Sequence, residues 1–293
     1  MTEVSYSPSG GPFRRWSDLI DYYRTGLKEQ EEWRNWLFRG HQCDQWKLKS
    51  SLERAVVDRA GDNPNSMARV EKGLLRRFKR QAHHYVNAVP ADDAWMEWQA
   101  LMQHFGAPTR LLDWTYSFFV AAFFAVENVE PDKSCSIWAF DSSWWYHKAE
   151  SALPSETREL IRADPNTKRP ETVDAILNST QPVPLVFPIN PERLNERLVI
   201  QQGAFLVPGD VSRTFTENMS APAGEDDASP HLLRLDLAFD IKELRRAIRE
   251  LHSMNINRAT LFPGLDGFSA HFKNLIFLRE EIATNEERLK GPG

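Results

Sequence analysis

Hydrophobic residues recur along this chain at two spacings, the helical interval of three to four residues and the alternating interval of a strand. Most helical segments are apolar on one face, but residues 117–128 are apolar on all sides, which predicts a buried helix. Helices are predicted over residues 14–28, 66–86, 94–104, 117–128, 240–251 and 264–278. Asp240 is the predicted N-cap of the fifth helix, because a short acceptor side chain can bind the free backbone N–H groups there.

The strand segments are short, and helices of irregular length separate them. Strands are predicted over residues 35–40, 134–140, 198–207 and 232–237. Gly203 interrupts the third of these, and no internal repeat is present. This order predicts an α+β fold rather than a doubly wound parallel sheet.

Three segments are predicted to lie outside the regular core. Residues 1–12 are rich in Ser, Gly and Pro and are expected to be disordered, and residues 281–293 form a charged tail. Residues 150–180 carry two short helical patterns with Pro-rich joints, which suggests an insertion or a lid. Residues 215–230 are polar and are predicted to form a mobile loop.

Composition narrows the class of protein. The chain has 293 residues, of which 41% are hydrophobic and 26% charged, as in an ordinary globular protein. Its net charge of −5 argues against general coating of nucleic acid but allows a local basic groove. The two cysteines form no disulfide framework, the N-terminus lacks an apolar signal, and residues 118–126 are too few to span a bilayer. We therefore expect a cytoplasmic protein with no membrane partner.

Residues 36–41 place an arginine inside an apolar strand. A buried Arg39 must find a partner, because an unpaired buried charge costs several kcal/mol, roughly 3–5. That partner is either an internal carboxylate or a phosphate or carboxylate ligand held by the planar guanidinium. Gly40 would let a ligand approach the backbone closely.

Residues 103–115 pack polar side chains between two apolar helices. The favoured interpretation of Arg110 and Asp113 is an internal ion pair. His104 is open to three interpretations: a core histidine, which leads for a lone His, a general base, or a ring stacked on a ligand.

Two further features carry polar groups without an obvious partner. Gln201 and Gln202 lie beside Gly203 in an apolar segment and need either sheet-edge backbone or a ligand. Residues 66–86 carry six basic side chains, favoured as a solvated face, with a substrate-facing ridge as the alternative. No metal site is predicted, because the cysteines lack ligand spacing and His83 and His84 do not share a helix face. No glycine-rich phosphate loop occurs.

These motifs together resemble the FRG domain family, which takes its name from a Phe-Arg-Gly triplet. The resemblance rests on Phe38-Arg39-Gly40, residues 103–115, Gln202-Gly203-x-Phe205 and Thr260–Gly267, and it extends over residues 15–280. It implies one FRG domain over residues 13–280, with the helical insertion near 150–180.

A looser similarity to the ADP-ribosyltransferase fold implies a short-stranded split sheet flanked by helices. It is carried by Arg39 on the first strand and by Thr115-x-Ser117 before the helical pattern Val120–Ala125. The similarity implies NAD as substrate and no metal. The residues that it implies for NAD binding are Arg39, Gly40, Thr109, Arg110, Trp114, Thr115 and Ser117.

In this interpretation Arg39 holds the pyrophosphate, Thr115 and Ser117 orient the nicotinamide ribose, and Trp114 or Phe205 stacks on nicotinamide. The implied catalytic residues are His104, Glu196 and Gln202. Arg197 stands where those transferases carry a catalytic Glu, so a neighbouring carboxylate, Glu196 or Asp113, or the Gln pair takes that role.

The leading hypothesis is thus an NAD-dependent ADP-ribosyltransferase-like enzyme, a bacterial toxin or phage-defence effector. Its acceptor is an unknown macromolecule such as a nucleic acid or a protein, and an antitoxin or regulator is a further expected partner. One alternative is a non-catalytic nucleotide- or nucleic-acid-binding module that uses Arg39, Arg110 and the basic helix 66–86. The other is a metal-independent RNA-cleaving effector with His104 and His41 as acid and base.

Overall fold

A computed structural model describes most of the chain. The described residues are 11–28, 36–130, 132–163, 177, 181–190, 196–223, 228 and 230–278. The predicted disorder of residues 1–12 therefore lies outside the described residues except at its end, and the tail 281–293 lies wholly outside them. So do residues 164–176 and 178–180 of the predicted insertion.

A single antiparallel sheet of six strands forms the centre of the fold. The strands are β1 (Trp36–His41), β2 (Leu112–Thr115), β3 (Cys135–Asp141), β4 (Val186–Ile189), β5 (Gly203–Pro208) and β6 (Leu232–Leu237). Their spatial order is β4-β5-β2-β1-β3-β6, and all neighbours pair antiparallel. The α+β prediction is confirmed. The predicted split sheet is wrong, because the six strands form one sheet, although β1 and β2 pair at a single registered position.

Helices flank the sheet. They are α1 (Trp16–Tyr22), α2 (Ser51–Glu53), α3 (Met67–Ala82), α4 (Trp95–His104), α5 (Phe118–Val126), α6 (Ser142–Ala152), α7 (Ser155–Ala163), α8 (Glu196–Ile200), α9 (Phe215–Ala223), α10 (Ile241–Ser253), α11 (Arg258–Leu261) and α12 (Leu265–Phe277). Helices α1 and α2 continue as π-helical turns at Tyr23–Lys28 and Arg54–Arg59, and a 3₁₀ turn at Pro64–Ser66 precedes α3. No helix among the described residues is long and apolar enough to cross a membrane.

Alternation along the strands divides the core between the two faces of the sheet. Trp36 and Phe38 of β1 pack with α1, α5 and α10, whereas Leu37 packs on the opposite face with α6 and α9. Successive strand side chains point to opposite faces, so β1 is buried on both sides. Arg39 and Gly40 continue this alternation, and His41 ends the strand.

Two predicted elements differ from the structure. Residues 198–207 are not one strand, since α8 precedes a turn at Gln202, whose φ is 48°, and the strand begins only at Gly203. A helix of five residues is too short to show a helical period in the sequence. Residues 215–223 are a helix and not a polar loop, because Phe215, Met219 and Ala223 form a buried stripe at four-residue spacing.

Candidate functional site

The sheet opens between β1 and β2. These strands are registered at one residue pair, Phe38 with Thr115, whereas the other four neighbouring pairs are registered over six, four, six and four residues. A cavity of about 270 Å³ lies at this opening. Its polar lining consists of Arg39, Gln42, Asp113, Thr115, Arg197 and Gln201.

Arg39 spans the gap between the two strands. Its Nη1 donates to the backbone carbonyl of Asp113 on β2. Burial lowers the pKa of the Arg39 guanidinium to about 10, the Asp113 carboxylate opposes this shift, and the charge of Arg54 adds to it. Arg39 remains a cation at neutral pH and makes no ion pair within 4 Å with any described residue.

His41 fixes the orientation of Arg39. Its Nδ1 lies 3.2 Å from the carbonyl oxygen of Trp46, so this nitrogen must carry the proton, and its Nε2 accepts from Nε of Arg39 at 3.1 Å. Burial and the charge of Arg39 lower the pKa of His41 to about 3. Both ring nitrogens are engaged, and the geometry therefore does not favour His41 as an acid or base for RNA cleavage.

Gly40 has a packing role in addition to its place on the cavity wall. A Cβ at this position would lie 2.1 Å from the carbonyl oxygen of Ala121 and 2.5 Å from the amide nitrogen of Ala125, both in the backbone of α5. Real side chains do not approach a backbone this closely, so α5 can pack against β1 only over a glycine. In the Phe-Arg-Gly triplet, Phe38 thus packs in the core, Arg39 places a cation in the cavity and Gly40 allows the close contact with α5.

A polar network holds the carboxylate of Asp113 at the cavity. Nε2 of Gln103 donates to Oδ2 of Asp113 at 2.8 Å, and Oε1 of Gln103 accepts from the hydroxyl of Thr109 at 2.6 Å. Thr109 is fully buried, and its backbone N–H donates to Oγ of Ser51 at 3.0 Å. Asp113 itself is exposed. The buried end of this network therefore orients a carboxylate that solvent or a ligand can reach.

Arg110 has a structural partner. Its Nε donates to Oε1 of Glu71 at 2.7 Å, its Nη2 donates to Oε2 of the same carboxylate, and both side chains are about 5% exposed or less. The predicted pair of Arg110 with Asp113 is wrong, since Asp113 faces the cavity while Arg110 faces α3. Arg110 lies outside the cavity lining, although it was predicted to bind NAD.

Arg197 enters the cavity from α8. Its guanidinium carbon lies 4.4 Å from the ring centroid of Phe262, a cation–π contact. Burial lowers the pKa of Arg197, the Asp113 carboxylate opposes the shift, and Arg258 adds to it. Phe262 is held in place by close packing of Gly267, where a Cβ would lie 1.8 Å from the Phe262 carbonyl oxygen. Residues 260–267 thus support a cavity cation.

Backbone contacts close the base of the cavity. The hydroxyl of Thr115 donates to the Gln201 carbonyl at 2.6 Å and accepts from the backbone N–H of Ser117 at 3.0 Å. The hydroxyl of Ser117 caps α5 by accepting from the N–H of Val120. Nε2 of Gln201 donates to the carbonyl of Leu261 at 2.9 Å. These bonds join β2, α5, α8 and α11 around the cavity.

Some predicted site residues meet at this cavity and others do not. Its lining includes the predicted residues Arg39, Gly40, Trp114 and Thr115. It does not include His104, Glu196, Gln202, Thr109, Arg110 or Ser117. His104 is half-buried near Arg197, and burial and then that charge lower its pKa. Glu196 and Gln202 are exposed, and Glu196 lies on α8.

The cavity lining also includes Gln42, Trp46 and Arg197, which were not predicted to bind a ligand, and Gln201, which was a candidate as one of the Gln pair. In the sequence, Arg197 stands out only as a departure from the transferase pattern. Trp46 is 54% exposed at the cavity, whereas the ring of Trp114 packs against Phe140 in the core. Trp46 follows β1 in an irregular segment, where no period marks it.

Comparison with protein families identifies the region that carries most of this cavity. Residues 34–134 match the model of a family described as the FRG domain. This range contains Arg39, Gly40, the Gln103–Thr109–Asp113 network and α5. No curated protein and no solved structure matches the chain.

Proposed function

We propose that this chain, which contains an FRG domain at residues 34–134, binds NAD in the cavity between β1 and β2 and transfers ADP-ribose from it. One observation carries the proposal: Arg39 and Arg197 reach the same cavity from separate elements and have the Asp113 carboxylate beside them. Two guanidinium groups facing one carboxylate leave a net positive site, which suits the pyrophosphate of a dinucleotide.

The two arginines would bind the pyrophosphate together, one from β1 and the other from α8. Arg39 is held by His41 and the Asp113 carbonyl, and Arg197 lies on the Phe262 ring, so both groups are oriented before a ligand arrives. Such preorganisation lowers the entropy lost on binding. The exposed ring of Trp46 offers a surface on which the nicotinamide or adenine ring can stack.

Asp113 is the carboxylate that we assign to the chemistry. In ADP-ribosyl transfer the bond between ribose C1′ and the nicotinamide nitrogen breaks, and its electron pair neutralises the pyridinium ring. The ribose acquires oxocarbenium character, which a nearby carboxylate stabilises. An acceptor oxygen or nitrogen then bonds to C1′ and loses its proton. Asp113 replaces Glu196 and Gln202 in this proposal because it lies on the cavity wall and Gln103 orients it.

The experiment measures NAD binding by calorimetry and nicotinamide release by chromatography. Arg39→Ala and Arg197→Ala should each weaken binding by about 10- to 100-fold, because hydrogen bonds to charged groups contribute about 1.5–3 kcal/mol. Asp113→Asn should retain binding and lose nicotinamide release. Arg246→Ala is the control, since Arg246 lies on α10 and pairs with Glu243 and Glu250.

Three outcomes overturn the proposal. The first is absence of NAD binding by the wild type, and the second is binding that Arg39→Ala and Arg197→Ala leave unchanged. The third is binding without nicotinamide release, which would identify the non-catalytic nucleotide-binding module instead. A role as toxin or phage-defence effector, with an antitoxin as partner, stays a prediction of the family resemblance.

A further inference from the structure

The outward face of α3 is strongly basic. The helix carries Arg69, Lys72, Arg76, Arg77, Lys79 and Arg80 against a single acid, Glu71. Glu71 lies on the buried side, where Arg110 already neutralises it. The chain as a whole has a net charge of −5, so this face is a local reversal of the overall charge.

Four of these cations have neither an acidic neighbour nor another polar or ring contact among the described residues. Lys79 donates to the Asp92 carbonyl and lies over the Trp98 ring, and Arg69 lies near Asp62. The remaining four, which we call the basic face, are Lys72, Arg76, Arg77 and Arg80, and all are exposed. Helix α10 shows the contrast, because its Arg246 pairs with Glu243 and Glu250 on the same helix.

The basic face continues into exposed rings. His83 and His84 are exposed just beyond α3, with ring centroids 4.0 Å apart, and Tyr85 is 83% exposed. A row of cations that ends in accessible rings matches the features that bind single strands, where phosphates contact the cations and unpaired bases stack on the rings. The face carries no exposed large apolar side chain between Met67 and Ala82, which disfavours a hydrophobic protein partner.

We propose that the basic face of α3 binds the phosphodiester backbone of a single-stranded nucleic acid. Charge complementarity supports this occupant, because unpaired cations on a helix release counterions from a polyanion. The role of this nucleic acid as the acceptor for ADP-ribose rests on the function proposed above. The binding surface itself does not depend on NAD.

The position of α3 suits an acceptor surface. The ion pair of Glu71 with Arg110 anchors α3 to the segment that leads into β2, three residues before Asp113. A helix is about 10–12 Å across, so the basic face lies about one helix diameter from Arg110. Arg54 is exposed and directly follows α2, which packs on α3. Its charge contributes to the lowered pKa of Arg39, so positive charge extends from the cavity towards α3.

The test is binding of fluorescein-labelled U20 and dT20 to the full chain without NAD, read by anisotropy at several salt concentrations. The slope of log affinity against log salt should be about −3, from about 0.7 for each of four contacts. The triple variant Arg76→Ala/Arg77→Ala/Arg80→Ala should bind at least about tenfold more weakly and with a shallower slope. The matched control is Arg245→Ala/Arg246→Ala/Arg249→Ala, which removes the same charge from α10.

Each outcome decides a separate point. Equal losses in both triple variants, salt-independent binding, or tighter binding to phosphatidylserine vesicles or to a duplex than to the oligonucleotides would overturn the proposal. With labelled NAD, the α3 variant should keep NAD binding and lose label transfer to the strand. If the wild type binds the oligonucleotides but not NAD, the nucleic-acid-binding surface is supported and the acceptor role is wrong.

Discussion

Arg39 and Arg110 occupy similar settings in the sequence and different ones in the structure. Arg39 lies inside an apolar strand and Arg110 lies two residues before a strand, and the transferase resemblance assigns both to NAD binding. Arg110 forms an ion pair with Glu71 in the interior. Arg39 instead donates hydrogen bonds to the Asp113 carbonyl and to the neutral ring of His41, and it lines the cavity. The role of a buried arginine is therefore decided by whether a distant segment supplies a carboxylate, here 39 residues away.

The comparison predicts losses of stability that differ greatly in size. Glu71→Ala leaves the Arg110 guanidinium buried without its counter-charge and should lower the free energy of unfolding by about 3–5 kcal/mol. Arg39→Ala removes a cation that has no buried carboxylate to strand, so its cost should be far smaller. Urea unfolding of the two variants beside the wild type measures both values.

A double variant separates the lost charge from the lost packing. Glu71→Met/Arg110→Leu removes both ions and keeps apolar volume, and it should recover most of the stability lost in Glu71→Ala. Arg110 also lies 4.8 Å from the ring centroid of Trp95, a contact that Leu retains only in part. If Glu71→Ala costs less than Arg39→Ala, the division of the two arginines into structural and ligand-binding roles is wrong.

Much of the fold follows from the hydrophobic pattern, because α3 and α10 are long amphipathic segments and α5 is apolar on all sides. Helix α9 was not predicted, although Thr214 and Glu217 have the spacing of a capping box in the sequence. In the structure the hydroxyl of Thr214 accepts from the Glu217 N–H, and the Glu217 carboxylate accepts from the Thr214 N–H. This capping box precedes the apolar stripe of the helix. The order of strands could not be predicted, since pairing of β2 between β1 and β5 depends on long-range contacts.

The sequence predicts part of the cavity lining, including Arg39, Gly40, Trp114 and Thr115, but not Gln42, Trp46 or Arg197. An arginine in a buried strand signals a special contact, and Arg39 proved to line the cavity. The role of His41 depends on the carbonyl of Trp46, in a segment without regular structure. Arg197 reaches the cavity only because α8 ends in the turn at Gln202, which the sequence pattern hides.

The pH dependence of stability tests the pairing of Arg39 with His41. The pKa of His41 is about 3 in the folded protein and about 6.5 when unfolded, so the unfolded chain alone takes up this proton between those values. Stability therefore falls as pH falls, by about 1.6 kcal/mol between pH 6.5 and pH 5. Urea unfolding across this range should show this loss, and His41→Gln should remove it.

The matched control is His147→Gln, whose side chain is 77% exposed on α6. It should keep the wild-type slope of stability against pH. Arg39→Leu should flatten the slope in part, because the charge of Arg39 is the second cause of the lowered pKa of His41, after burial. A slope that Arg39→Leu leaves unchanged would show that burial alone keeps this histidine neutral, and Arg39 would lose its link to it.

The smallest expected effect concerns Gln103, a positioning residue for Asp113. Gln103→Met keeps the side-chain length but removes the hydrogen bonds to Asp113 and Thr109, which contribute about 1 kcal/mol. If Asp113 acts in ADP-ribosyl transfer, nicotinamide release should slow by about fivefold while the Kd for NAD stays unchanged. Thr109→Val removes a hydrogen bond one step further from the carboxylate and should slow nicotinamide release less, whereas Asp113→Asn should slow it more. An equal loss in all three variants would indicate general unfolding, because a network that orients one carboxylate must lose effect with each step away from it.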